Sequence, residues 1–205
     1  MPLALTELRG LQALALVDPD LPGLPRELSR LTRLRSLRLA LFHLGSLPHG
    51  FGGLVRLREL AIESHHLCGL PDELRALQAL RSLTLQLPHV YVHDWERPAH
   101  VPPRFTQSLA DLFALLAALP RLTSLTLGED HSYAMPGAVF DRLPPEFGGL
   151  QALESLTLEH VSRVGAPHGV VMPALRQIRT CYAGFDATEA ELRAIFPNAD
   201  LSGGR

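Results

Sequence analysis

The sequence predicts an α/β solenoid, a curved parallel sheet on the concave side with short helices and 3-10 turns on the convex side, in about seven stacked units. Three observations predict it. Leucine supplies 43 of the 205 residues, against roughly a tenth or less in ordinary domains. The leucines recur at a fixed step: Leu8, Leu31, Leu54 and Leu77 are each 23 apart, and so are Leu14, Leu37, Leu60 and Leu83. Within each unit a two-residue alternation, as in Leu37-Arg38-Leu39, places two leucines on one face of a short strand. One 23-residue unit cannot enclose its own leucines, so neighbours must stack and bury a continuous core. At about 4.8 Å between parallel strands, seven copies give a rod roughly 30 Å long. Each buried Leu contributes on the order of 1.5–3 kcal/mol.

The elements follow in order. The unit reads Leu-x-x-Leu-x-x-Leu-x-Leu, then four residues, then Leu-x-x-Leu-Pro-x-x-Leu. Leu21 to Leu28, Leu44 to Phe51 and Leu67 to Leu74 carry its second half. The strand motif returns at Leu119, Leu122, Leu125 and Leu127, then at Leu150, Leu153, Leu156 and Leu158, and in degenerate form at Met172, Leu175 and Ile178. Over residues 8 to 201 these motifs resemble the leucine-rich repeat family in its intracellular form. The resemblance implies the solenoid fold and a non-enzymatic role in protein recognition, with no cofactor. It suits a bacterial cytoplasmic protein, or a secreted effector acting in a host cytosol. The family usually places Asn at a turn position after each strand, where its amide satisfies backbone groups. Here those positions hold Pro19, Phe42, His65, Pro88, Asp130 and Val161, so other side chains or water must serve those groups.

The whole chain, 1–205, reads as one repeat domain with two insertions and a cap. Leu83 to Leu125 spans 42 residues, 19 beyond one unit, and Leu125 to Leu156 spans 31, 8 beyond one unit. The insertions, 86–105 and 131–142, both begin just after a strand and should share one flank. Ser108 and Asp111 start a helix whose apolar stripe is Leu109, Leu112, Phe113, Leu116 and Leu119. Thr188-Glu189-Ala190-Glu191 is a capping box that opens a C-terminal cap over 186–201. No comparable cap precedes Ala13-Leu14-Ala15-Leu16-Val17. This apolar edge strand invites pairing: either residues 1–7 fold over it, or a second copy of the chain pairs with it, or the chain is part of a larger protein.

Composition excludes several function classes. All 19 basic residues are Arg, so there is no phosphate-loop lysine and no lysine nucleophile. With 21 acidic residues the formal net charge is −2, which gives no overall field for nucleic acid or an anionic membrane. No apolar run reaches the roughly 18 residues of a membrane span. Cys68 and Cys181 lie about four repeats apart, or about 19 Å, beyond the roughly 7 Å limit of a disulfide. Free thiols fit a reducing compartment.

Two candidate sites emerge. The insertions hold aromatic side chains of the kind that anchor interfaces. Tyr91, Trp95, Arg97 and Tyr133 are the expected partner-binding residues, helped by Arg38, Glu59 and Glu63 on the strand face. Phe105 and Phe140 either join them or pack onto the solenoid. The alternative is metal. His43, His66 and His89 are 23 apart, and His131 occupies the same place in its unit. Such a column, spaced by roughly 5 Å, brings imidazoles close enough to share a zinc ion. A third reading makes the chain the recognition arm of a larger multidomain protein.

Overall fold

The computed structural model describes residues 8–18, 20–21, 23–87, 105–129, 142–159, 163–181 and 184–201. The predicted strand motifs all form strands: β1 (Ala13–Val17), β2 (Ser36–Ala40), β3 (Glu59–Glu63), β4 (Ser82–Leu87), β5 (Ser124–Glu129), β6 (Ser155–Glu159) and β8 (Gln177–Cys181). They make one seven-stranded sheet in the order β1-β2-β3-β4-β5-β6-β8. Every pairing is parallel, and the repeat sets the register. Leu14, Leu37, Leu60, Leu83, Leu125, Leu156 and Ile178 stand opposite one another in turn. Just before the strands a second ladder runs along the stack. The Gln12 carbonyl accepts from the Arg35 and Ser36 amides, and the pattern repeats through the carbonyls of Arg35, Arg58, Arg81, Thr123 and Glu154.

Opposite the sheet, the chain returns through 3-10 turns at Arg26–Arg30, Phe51–Gly53, Asp72–Ala76 and Pro145–Gly149. The turns at 26–30, 72–76 and 145–149 follow a proline in extended conformation (Pro25, Pro71 or Pro144). Proline fixes φ and lacks the amide that the first turn would leave unpaired. In the unit after β4, the helix α1 (Leu109–Ala117) takes this place. The Ser108 hydroxyl caps it by accepting from the Asp111 amide, as the sequence predicts. Between sheet and turns lies the leucine core, nearly all of it fully buried. Toward the C-terminal end phenylalanines join it edge to face: Phe113 against Phe147 at 5.4 Å and Phe147 against Phe196 at 6.4 Å between ring centres.

The predicted capping box forms. In α2 (Glu189–Ile195) Thr188 and Glu191 form the reciprocal capping box, and Ile195 and Phe196 close the core. The sequence gives no sign of a second sheet, in which β7 (Arg163–Gly165) pairs in parallel with β9 (Gly184–Asp186). Three-residue strands carry no period that a sequence can display. At the other end β1 is an edge strand, with Leu14 and Leu16 half-buried and Val17 71% exposed. Among the described residues no helix is long and apolar enough to cross a membrane.

Candidate functional site

The insertions leave from one place. β4 and β5 are neighbours, and their last residues, Leu87 and Glu129, stand in register. Of the expected anchors, Tyr91, Trp95, Arg97 and Tyr133 lie outside the described residues, as do Phe140, His89 and His131. The return of the first insertion is well defined. Phe105 is buried in the core, so it packs on the solenoid and does not serve as an anchor. The amides of Thr106 and Gln107 both donate to the Cys68 carbonyl, at 2.8 and 3.3 Å. The Gln107 side-chain oxygen accepts from the Leu70 amide at 2.9 Å. The returning segment is thus fastened to the turn that follows β3.

That turn belongs to a ring cluster on the same flank. Phe42, 37% exposed, stacks on His65 at 4.1 Å and also meets His43 and His66. His43 and His66 are 4.8 Å apart, edge to face, which is the spacing the repeat predicts. Partial burial and the neighbouring His43 and His65 hold the His66 imidazole below its ordinary pKa. Stacked rings next to an exposed Phe suit an apolar, weakly basic contact. Among the described residues no group of three or more His, Cys, Asp or Glu is arranged to hold a metal ion.

Beneath the cluster, Ser64 takes over the work of the absent Asn. Buried to 3% exposure, its hydroxyl lies 2.9 Å from the Leu44 carbonyl and 3.3 Å from the Phe42 carbonyl. It also accepts from the His66 amide at 3.2 Å. The motif pointed to position 65, and the polar group that serves the turn stands one residue earlier.

The concave face bears the expected strand residues. Arg38 is exposed and donates to Glu63 at 2.8 Å; Glu59 is exposed beside Arg38's strand, opposite Ser36. A contact that the sequence did not reveal spans three strands. The Gln86 amide on β4 donates to a Glu159 oxygen on β6 at 2.7 Å. It passes over Gly128 on β5, where any Cβ would overlap the Gln86 carboxamide. This clasp lies on the sheet at the foot of both insertions.

No family model matches the sequence, and no curated protein matches it. Solved leucine-rich repeat structures do match. Internalin C2 from Listeria monocytogenes superposes with a TM-score of 0.57 at 17% identity, over 98% of this chain and 74% of that one. TLR13, solved as a complex with ssRNA13, gives a TM-score of 0.62 at 20% identity, over 96% of this chain and 25% of that one.

Proposed function

We propose that this chain, a solenoid with the leucine-rich repeat fold, is a non-enzymatic protein-recognition module that binds through its insertion-bearing flank. One observation carries the reading. Both insertions depart from register-paired strand ends, and the first returns against the turn after β3, whose His65 and His66 pack against the exposed Phe42 of the neighbouring turn after β2. Tyr91, Trp95, Arg97 and Tyr133 would then extend a surface that already presents an aromatic ring. Arg38, Glu59 and Glu63 would supply its polar rim. Aromatic anchors inside a polar rim are the usual anatomy of a protein interface. A sheet ordered before binding loses little entropy on association.

The experiment is a pull-down from cell lysate with wild type beside Trp95→Ala/Tyr133→Ala, both checked by circular dichroism. A partner lost only from the folded variant supports the flank. A partner held equally by both moves the site to the concave face, where Arg38→Ala/Glu59→Ala becomes the next variant. β1 stands at the end of the sheet among the described residues, and its half-buried Leu14 and Leu16 support a second proposal, self-association through that strand.

A further inference from the structure

The two flanks of the sheet differ in charge. At the C-terminal ends of the strands stand Asp18, Asp20, Glu63 and Glu159. At the N-terminal ends stand arginines. The residue that precedes each strand reads Gln12, Arg35, Arg58, Arg81, Thr123, Glu154 and Arg176 along the stack. The carbonyl ladder at these positions fixes their backbones one strand spacing apart, about 4.8 Å. Two residues earlier come Arg33, Arg56 and Arg121, and all six arginines from Arg33 to Arg121 in these two rows are exposed.

Arg38, Arg75 and Arg193 each meet a carboxylate. Among the described residues none of the six does so within salt-bridge distance. Like charges facing one another across neighbouring strands are destabilising, so among the described residues the band is a cost without an ion-pair partner. Guanidinium forks bind carboxylates and phosphates in pairs of hydrogen bonds.

We propose that this band docks an acidic polypeptide segment of a partner protein. Carboxylates are favoured over a nucleic acid for two reasons. The exposed Glu59 at the border of the band would repel a continuous phosphate backbone, whereas an acidic peptide can place a neutral residue there. No aromatic side chain stands in these two rows for bases to stack on. The band lies at the strand ends opposite those from which the insertions depart, so this proposal does not depend on the anchors Tyr91, Trp95 and Tyr133.

Fluorescence anisotropy of the full chain tests it, with a fluorescein-labelled ten-residue peptide of alternating Glu and Gly as probe. Arg35→Gln/Arg58→Gln/Arg81→Gln is compared with Arg26→Gln/Arg75→Gln/Arg193→Gln, which removes the same charge elsewhere. Exposed Arg to Gln changes should leave circular dichroism unaltered. The expected result is binding that weakens with salt, falls about tenfold in the band variant and holds in the reference variant. Absence of binding to wild type, or equal loss in both variants, overturns the proposal. So does tighter binding, through the same arginines, of an oligothymidylate of equal charge or of phosphatidylserine vesicles.

Discussion

Ser64 shows what a single residue decides in a repeat fold. Its hydroxyl serves two carbonyls and an amide at a turn that carries His65 in place of Asn. Ser64→Ala leaves those groups buried and unpaired, and should cost about 1–3 kcal/mol. In a chain of this size that lowers the melting temperature by roughly 2–4 °C per kcal/mol; thermal unfolding unchanged from wild type would show that water serves the turn as well. His66 argues a pH effect at the same place. Burial, then the neighbouring His43 and His65, depress its folded pKa below the 6.5 ordinary for an imidazole. The unfolded chain therefore binds a proton that the folded chain resists. This group leaves stability intact above pH about 6.5 and lowers it as pH falls through that value toward the folded pKa. Melting temperature measured from pH 7.5 to 5 should drop less steeply for His66→Gln than for wild type, and parallel curves would remove His66 as the cause. The histidine spacing was legible as a 23-residue step. The stacking of Phe42 between those rings was not, because it joins two turns whose relative placement only the fold supplies.

Elements were legible where a period repeats. Each Leu-x-Leu alternation became a strand, and the neighbouring leucines stand in register because each unit presents the same face. The Ser108 and Thr188 starts were legible because caps are local chemistry. The pair β7 and β9 was illegible because its pairing comes entirely from tertiary placement. The expected flank residues Tyr91, Trp95, Arg97 and Tyr133 belong to stretches with no repeat, where a sequence shows composition but no geometry. Two element-scale predictions follow from packing and capping. Gly52 lies in the turn 51–53, and a Cβ there would stand 2.6 Å from the Glu73 carbonyl oxygen of the next turn. Backbone cannot swing aside as a flexible side chain can, so Gly52→Ala should cost about 1–3 kcal/mol in chemical denaturation, and a neutral result would mean that the stacked turns can slide apart. Thr188→Ala removes the hydroxyl that accepts from the Glu191 amide at 3.3 Å and donates to its carboxylate, and should cost about 1 kcal/mol. The Thr188 amide, and then its hydroxyl, donate to the Glu191 carboxyl and hold it below its ordinary pKa. The carboxylate's part of this contribution is therefore present at neutral pH and lost as pH falls through its lowered pKa, so the gap between wild type and Thr188→Ala should narrow in acid to what the hydroxyl gains from the Glu191 amide.

At the scale of the whole molecule, stability is a chain of neighbour contacts, and the two ends are unlike. A stacked repeat opens from whichever end has the weaker last interface. β8 is paired with β6 on one side, and beyond it Gln177 bridges to Asp200 while Ile195 and Phe196 cover the core. β1 pairs with β2, and its leucines remain half-buried. Hydrogen exchange should therefore show the β1 amides that donate to β2 exchanging fastest among the sheet strands, with protection rising through β3 to β6 and still high in β8. Equal protection of β1 and β8 would sink this gradient. Protein concentration separates the two ways in which β1 could gain protection. A strand covered from within its own chain is protected equally at every concentration. A strand paired with the β1 of a second copy gains protection as concentration rises, because association follows mass action. A two-fold axis relating two such edges would run the paired strands antiparallel, since each strand must meet its own copy in the reversed direction. The self-association proposal therefore predicts concentration-dependent protection confined to β1, and a β1 whose exchange is independent of concentration refutes it.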